Sequence, residues 1–442
     1  MSTFNFKKWN TILGWTTFGI ALVTYILTVE PTMSFWDCGE YIATATKLEV
    51  GHPPGAPLFQ MIGAFLSLFA FKSSQIAVMV NMISVISSAF TILFLFWSST
   101  MILKKIVGAY SELNENNLKA ILGSALVGSL AFCYSDTFWF NAVEAEVYAM
   151  ATFMIALLFW LGLHWEQDMD EPRGNKWLLL ICLVVGLSFG VHFMSLLSIP
   201  SIGFLYYFKK YPKVTVKNFI VANVLVVAAL FFIFKFLIPY AIIFVGSTEI
   251  YLVNNFGLPF NSGTIISISL IISFFYFGLS YTKKKGLTQF NTIILAIMFV
   301  MVGFTNWLML PIRSNSNIVI NENKPSNAAD VLDYYNREQY GSSSLLYGPQ
   351  YTDEFAGLDE ANPYLDGVPN YEKDEKTGTY IIVNDFKNSK QNTDDKQKGF
   401  LPRMGSTDAG HIENYINLTE VPKFTIKDEY ADEKELVDIV AQ

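Results

Sequence analysis

Pro57-Leu-Phe-Gln-Met-Ile-Gly-Ala-Phe-Leu-Ser-Leu-Phe-Ala-Phe71 decides how this chain lies. The run is apolar but has only 15 residues, and a helix that crosses a bilayer needs about 20. Around it, the clear spanning candidates are 11–29, 76–103, 119–135, 146–164, 218–246, 264–282 and 290–310. The 32 residues of 177–208 contain Gly186, Gly190 and Pro200, and read as two short helices, 177–190 and 194–208, meeting near His192. Together these make nine crossings. With the N-terminus inside and 57–71 laid on the outer surface, the inside loops collect 14 basic residues, from Lys7 and Lys8 to Lys283, Lys284 and Lys285. The outside loops before residue 311 hold only Lys47 and Lys72. That is a strong positive-inside asymmetry. Counting 57–71 as a crossing would throw Lys104 and Lys105 outside. The run is therefore expected at the interface, and the chain is expected to be an all-α polytopic membrane protein of about nine transmembrane helices.

Composition agrees. Of 442 residues, 52% are hydrophobic and 15% charged, where a soluble domain carries about a quarter charged. This excludes a soluble protein, a disordered chain and a disulfide scaffold. Residues 1–310 carry a net charge of +3 and residues 311–442 one of −11. The expected organisation is a transmembrane domain over 1–310 and an acidic extracytoplasmic region over 311–442, with strand-like runs such as Tyr380-Ile-Ile-Val383. The basic residues sit in short clusters between apolar runs, not on a polar face, so nucleic acid is not an expected partner. Cys38, Cys133 and Cys182 show no metal-ligand spacing, and no metal site is read from the sequence. The first apolar run, Thr11 to Val29, is too long for a signal-peptide core and ends in Glu30-Pro31.

Four segments fall on the outer side: 30–75, 136–145, the tip at His192 and the tail from 311. The first contains Phe35-Trp-Asp-Cys-Gly-Glu-Tyr41, then Gly51-His-Pro-Pro-Gly55. Asp37 and Glu40 are three apart, on one face of a helix. With Phe35, Trp36 and Tyr41 around them, an apolar setting would raise a carboxylate's pKa and suit it as a base; two solvated loop acids are the plainer alternative. His52 belongs to a site or is incidental to a rigid turn. The second outer loop places Asp136, Asn141, Glu144 and Glu146 at the mouth of two spans without a cation. Such acids can hold sugar hydroxyls, a metal or a substrate, or simply hydrate a helix end. His192, at membrane depth, is a functional candidate by default, with a packing histidine as the alternative. Lys235, inside 218–246, snorkels, pairs or faces a cavity. Arg313 follows the last span at the outer surface, where a guanidinium grips a lipid phosphate through paired hydrogen bonds or serves as an anchor. An outside arginine opposes the positive-inside bias, which favours function.

As a constellation, acids, histidine and one arginine beside a surface helix suit a lipid-phosphate-linked donor. Its leaving group is already an anion and needs a cation more than an acid. A single carboxylate can then deprotonate an incoming hydroxyl. Such a single displacement inverts the sugar carbon, by analogy with inverting glycosidases.

Phe35-Trp-Asp-Cys-Gly-Glu-Tyr-Ile42, Gly51-His-Pro-Pro-Gly-Ala-Pro-Leu58, Phe138-Trp-Phe-Asn-Ala-Val-Glu-Ala-Glu-Val-Tyr148, Gly186-Leu-Ser-Phe-Gly-Val-His192 and Arg337-Glu-Gln-Tyr-Gly341 together resemble a bacterial membrane family. Long labelled as of unknown function, it is similar to protein O-mannosyltransferases of the GT-C superfamily. The resemblance runs from the N-terminus to about residue 412. It implies a polyprenyl-phosphate sugar donor carrying mannose or a similar hexose, and an extracytoplasmic acceptor, a protein Ser/Thr hydroxyl. It implies a catalytic acid in the first outer loop, mapping onto Asp37 with Glu40 beside it, and interfacial helices in that loop. It also implies a place in the bacterial inner membrane. Family members are usually longer, so a truncated relative or a fragment is expected.

The expectation is an inverting membrane glycosyltransferase. Asp37 is the base and Glu40 its neighbour; His52, Asn141, Glu144, Glu146, His192 and Arg313 bind substrate, with Arg313 on the donor phosphate. No cofactor is required by the motifs, and a divalent metal is compatible with them. Two other readings stand beside it. A transporter or flippase of a lipid-linked substrate would put His192 and Lys235 on its path, but the chain shows no pair of related halves. A non-catalytic envelope scaffold would not converge Asp37, Glu144 and Arg313. The topology predicts that a reporter fused after Gln442 is active if it works only outside the cytoplasm. Activity of a cytoplasm-only reporter at that position would contradict it.

Overall fold

The structure is a computed structural model that describes residues 4–340 and, beyond them, 346–349, 358–365, 367, 369–384, 390–395, 398–401 and 409–419. It forms two compact units, one of Met1–Gln339 with Asp374–Tyr380, the other of Tyr340–Lys373 with Ile381–Gln442.

The first unit is helical. α1 (Phe6–Thr28) opens on Asn5, whose side chain takes the Lys8 amide at 3.0 Å, satisfying one of the donors a helix start leaves unpaired. α2 (Cys38–Lys47) and α3 (Pro57–Ser67) lie in the first loop. α4 (Ile76–Tyr110) is the spine. Along it pack α1, α5 (Glu115–Cys133) and α7 (Val147–Asp168), with α2 and α3 against its beginning. α6 (Asp136–Ala142) breaks from α5 by 67°. α8 (Asn175–Ser188) packs on α13 (Thr288–Phe304), and α9 (Ser198–Lys210) on α7. α10 (Val216–Phe231) passes through a π-helical stretch, Phe232–Leu237, into α11 (Ile238–Phe256), which packs on α12 (Ser262–Lys284) and α15 (Ala328–Asn336). Lys235 lies in that π stretch with its ammonium 5.1 Å from the centre of the Phe234 ring.

Six helices of the described residues are long and apolar enough to cross a membrane, seven if the bent pair α5–α6 is one span. The sequence suggested nine. The difference is the 177–208 stretch, which forms α8 and α9 of 14 and 13 residues. At 1.5 Å per residue these are roughly 20 Å long, short of a bilayer's hydrocarbon core. The two-helix reading of that stretch with a break at His192 is met; the length of each piece is what falls short. The protein is an integral membrane protein.

α3 agrees with the reading of 57–71. It has 11 residues, buries Pro57, Phe59, Gln60 and Gly63, and leaves Phe65 exposed, with Leu68, Phe69 and Phe71 exposed just beyond it. At 11 residues the helix is too short to cross a bilayer.

The segment after α13 returns to the first loop. α14 (Met309–Ser314) leads into 315–322, where the Val50 amide donates to Ile320 O and the Glu322 amide to Val50 O, each at 3.0 Å. Buried Glu49 accepts the Val319 amide at 3.2 Å. On α15, the Tyr334 hydroxyl donates to Gly51 O at 2.5 Å and Tyr335 to Phe234 O at 2.7 Å.

The second unit contains two short antiparallel ladders among its described residues, Tyr347–Pro349 with Lys398–Phe400 and Tyr364–Leu365 with Lys390–Gln391, and a helix, Ala409–Thr419. The expected strand at Tyr380–Val383 is present within Thr379–Asn384.

Candidate functional site

Asp37 is the N-cap of α2 and Glu40 lies in its first turn. The helix ends where Leu48 turns left-handed at φ 49°, and the chain doubles back through Gly51-His-Pro-Pro-Gly55. This return brings His52 onto both acids. The His52 amide donates to Glu40 Oε1 at 2.6 Å, and the ring Nδ1 lies 3.0 Å from Glu40 Oε2. With Nδ1 committed to Glu40, the other nitrogen faces Asp37, Nε2 standing 3.6 Å from Oδ2.

Two glycines are needed for this turn. A Cβ at Gly51 would strike Glu40 Oε1, and one at Gly55, already at φ +69°, would strike the Tyr334 hydroxyl. The Tyr41 ring packs 5.6 Å from the His52 ring and 5.4 Å from Phe59, closing the inner side.

The electrostatics differ from the sequence expectation. Phe35 and Trp36 do not enclose the acids; they are 74% and 87% exposed, and Trp36 is forced to φ 59°. The Asp37 side chain is 56% exposed. Burial pushes the Glu40 carboxyl up, but the ring, amide and charge of His52 together outweigh it and leave Glu40 below its ordinary value. The Glu40 hydrogen bond in turn raises His52, against burial. Glu40 is therefore an ionised partner of histidine, not an apolar-pocket base.

Behind α2 lie Glu144 and Glu146, 3% and 5% exposed. Glu146 caps α7, taking the Val147 amide at 3.3 Å, and lies 3.9 Å from the Cys38 thiol that donates to it. Burial first and the Asp37 charge second push its carboxyl up to about 7. Burial also raises Glu144, partly offset by the polar groups of Ser34 and Cys38 beside it. Burial and these two acids raise the Cys38 thiol, which rules it out as a ready nucleophile.

His192 sits on a second flank. Its Nδ1 accepts the Met194 amide at 3.1 Å and its ring is 5.4 Å from Tyr148. Burial, then the Arg337 charge, hold it below its ordinary value. Asn141 spends its amide on Thr137 O within α6 at 2.9 Å. Arg313 donates from Nε to Leu48 O at 2.6 Å and from Nη2 to Lys47 O at 3.1 Å. It thus ties down the C-terminus of the helix that carries Asp37 and Glu40, a favourable place for a cation.

Sequence reasoning missed Glu322, Tyr148 and Tyr334. Glu322 senses Glu40, His52 and Asp37, and burial with the Glu40 charge raises it. It lies far along the chain, and no spacing rule joins it to the first loop. Tyr148 stood inside a quoted motif but carried no signal of its own. Asp37, Glu40 and His52 each offer a ligand atom, all within 4.8 Å of one another, so the trio can hold a cation. A separate cavity of about 530 Å³, mostly apolar, opens on the opposite face of α2, against Gly39, Ile42 and Thr46, with Lys47 at its wall.

Residues 37–215 match the family model described as the Protein O-mannosyl-transferase TMEM260 N-terminal domain, and residues 341–434 match that of a family of unknown function (DUF8416). The chain is similar to Protein O-mannosyl-transferase tmem260 of Dictyostelium discoideum, 27% identical over 150 residues, covering 33% of this chain and 16% of that protein. It is similar to Protein O-mannosyl-transferase TMEM260 of Mus musculus, 25% identical over 159 residues, covering 36% of this chain and 20% of that protein. The aligned part is thus a fifth or less of these relatives' own length. No solved structure matches. The resemblance drawn from the motifs, to a protein O-mannosyltransferase-like family, holds on these matches. The matched span contains Asp37, Glu40, His52, both buried acids and His192, while Arg313, Glu322 and Arg337 lie beyond it.

Arg313→Ala is expected to loosen α2, lowering stability by about 1–2 kcal/mol, the scale of charged hydrogen bonds that are partly exposed. It should also open the 38–56 loop to protease. Arg313→Lys should restore part of the loss. Thermal unfolding and limited proteolysis of purified protein would check this; an unchanged midpoint and digestion pattern would deny the tie.

Proposed function

We propose that the protein is an inverting membrane glycosyltransferase of the GT-C kind. It moves a hexose, mannose or similar, from a polyprenyl-phosphate donor to the hydroxyl of Ser or Thr in an extracytoplasmic protein. We place it in a bacterial inner membrane with the N-terminus cytoplasmic and the tail periplasmic. The observation that carries the reading is the half-exposed Asp37 carboxylate, at the start of α2 and faced by a histidine that Glu40 orients. The family resemblance and the matched span support the same assignment.

In this reading Asp37 takes the proton of the acceptor hydroxyl as its oxygen attacks the anomeric carbon. The bond from that carbon to the phosphate oxygen breaks on the opposite face, and the lipid phosphate leaves with the electron pair. The carbon inverts. A general base of this type contributes roughly 10²–10⁴-fold in rate. The lining of the cavity beyond α2, mostly apolar, suits part of an isoprenoid chain. The charge that grows on the phosphate needs a positive group in the site. Arg313 has two donors committed to α2, so its share in holding phosphate falls to the rest of its guanidinium, and Arg337, whose charge reaches the neutral His192, stands as the other cation.

Asp37→Asn keeps shape and removes the proton acceptor. It should lower transfer from a polyprenyl-phosphate mannose donor to an acceptor peptide by about 10²–10⁴-fold while leaving thermal stability near that of the unaltered protein. A rate within about threefold would move the base elsewhere.

A further inference from the structure

We propose that Lys235, on the π-helical stretch Phe232–Leu237, forms a binding site for the phosphate of an anionic phospholipid on the bilayer-facing side of the first unit. The inference stands apart from the glycosyl-transfer reading.

The first argument is where the lysine stands. It lies within the long apolar run Val216–Phe256 and is exposed there. From Val216 to Lys235 is roughly 28 Å of helix, close to the thickness of a bilayer's hydrocarbon core. Lys209, Lys210, Lys213 and Lys217 mark the opposite boundary. The neighbouring Phe234 turns inward, its ring 5.0 Å from Phe193 and 5.7 Å from Tyr335, and its carbonyl accepts the Tyr335 hydroxyl at 2.7 Å. Tyr334, next to Tyr335, reaches Gly51 O. Lys235 therefore stands near the level of the Gly51 turn, with its side chain directed outward.

The second argument is that this cation lacks an anion. Among the described residues it pairs with no carboxylate and makes no hydrogen bond; its partner is the Phe234 ring, 5.1 Å from the ammonium. Lys105 and Lys210, by contrast, pair with Glu166 and Asp170. An unpaired charge facing lipid is costly, and an ionisable residue at membrane depth is a functional candidate by default. The flexible stem of a lysine carries its ammonium toward headgroup depth. A lipid phosphate there supplies the missing anion through charge-assisted hydrogen bonds.

The surface around it suits the rest of such a lipid. α10 buries none of its residues, and Leu225, Val227, Phe231 and Phe232 are exposed on the side of the membrane interior, where acyl chains lie. Past Lys235, the rings of Phe236 and Tyr240 stack at 5.7 Å and both are exposed, an aromatic pair of the kind found at headgroup level. The wider turn of a π stretch alters the backbone bonding of the helix, and Tyr335 bonds the Phe234 carbonyl within it. The ammonium is unpaired in the protein at rest, so its partner is an anion that is always at hand. A bilayer phospholipid meets that condition; a sugar donor consumed by turnover does not. A basic side chain at a membrane surface also attracts an anionic lipid over a zwitterionic one.

The test is native mass spectrometry of the full chain, released from detergent in the presence of phosphatidylglycerol. One lipid should stay on each chain under conditions that strip the others. Lys235→Met should weaken its retention about fivefold, the scale of one basic residue at an anionic lipid surface, and Lys235→Arg should keep it. Lys283→Met, at the opposite boundary, should retain the lipid as the unaltered protein does. If Lys235→Met fails to fold, a photoreactive phosphatidylglycerol on the unaltered protein decides alone: its label must fall within 224–240. Equal retention by folded Lys235→Met, equal retention of phosphatidylcholine, a loss in Lys283→Met as large as in Lys235→Met, or a label confined to other segments overturns the site. Displacement of the phospholipid by equimolar polyprenyl phosphate also overturns it, because the lysine would then belong to the donor. Retention that depends on Lys235 in a chain that transfers no sugar supports the site and removes only the transferase reading.

Discussion

The Glu40 carboxylate accepts from both the backbone and the ring of His52, and the arrangement of the first loop follows from that double bond. It closes the chain from α2 back to α3 into one rigid turn. It sets which imidazole nitrogen faces Asp37, and it keeps Glu40 ionised in a setting where burial alone would protonate it. Other ties fix the same turn from remote parts of the chain. Arg313 holds the carbonyl end of α2, Tyr334 the Gly51 carbonyl, and 319–322 the Glu49 carboxylate and the Val50 backbone. The loop is therefore fixed from several distant parts of the chain, which is what a reacting carboxylate requires.

The buried acids of the first unit fall into two kinds. Glu249, 5% exposed, is fully served: its oxygens accept the Asn261 amide at 2.6 Å, the Thr264 amide at 2.7 Å and the Tyr380 hydroxyl at 3.0 Å. It joins α11, the start of α12 and the 374–380 segment, a structural task. Glu144 is equally buried but leaves an oxygen unbonded, and Glu146 shares its neighbourhood with the Asp37 charge. Incomplete satisfaction next to an exposed carboxylate marks a place shaped for something other than stability.

Much of this was legible in the sequence because it rests on local rules. Length alone marked 57–71 as too short to cross, and glycine, proline and span length split 177–208 at His192. The i, i+3 spacing put Asp37 and Glu40 at one end of a short helix. What stayed hidden depends on contacts between distant residues. The aromatic neighbours of Asp37 look like a pocket in sequence, but the turn before α2 throws Phe35 and Trp36 outward. Arg313 looks like a phosphate ligand by its place after a span, whereas its carbonyl partners lie 265 and 266 residues earlier. Glu322 joins the site only because the chain after α14 folds back on Val50.

Glu40 and His52 act as one unit. A double-mutant cycle with Glu40→Gln, His52→Gln and the double variant, read by thermal unfolding of the purified protein, tests it directly. Strong coupling is expected, roughly 1–3 kcal/mol, with the double variant no less stable than the worse single one. Losses that simply add would contradict it.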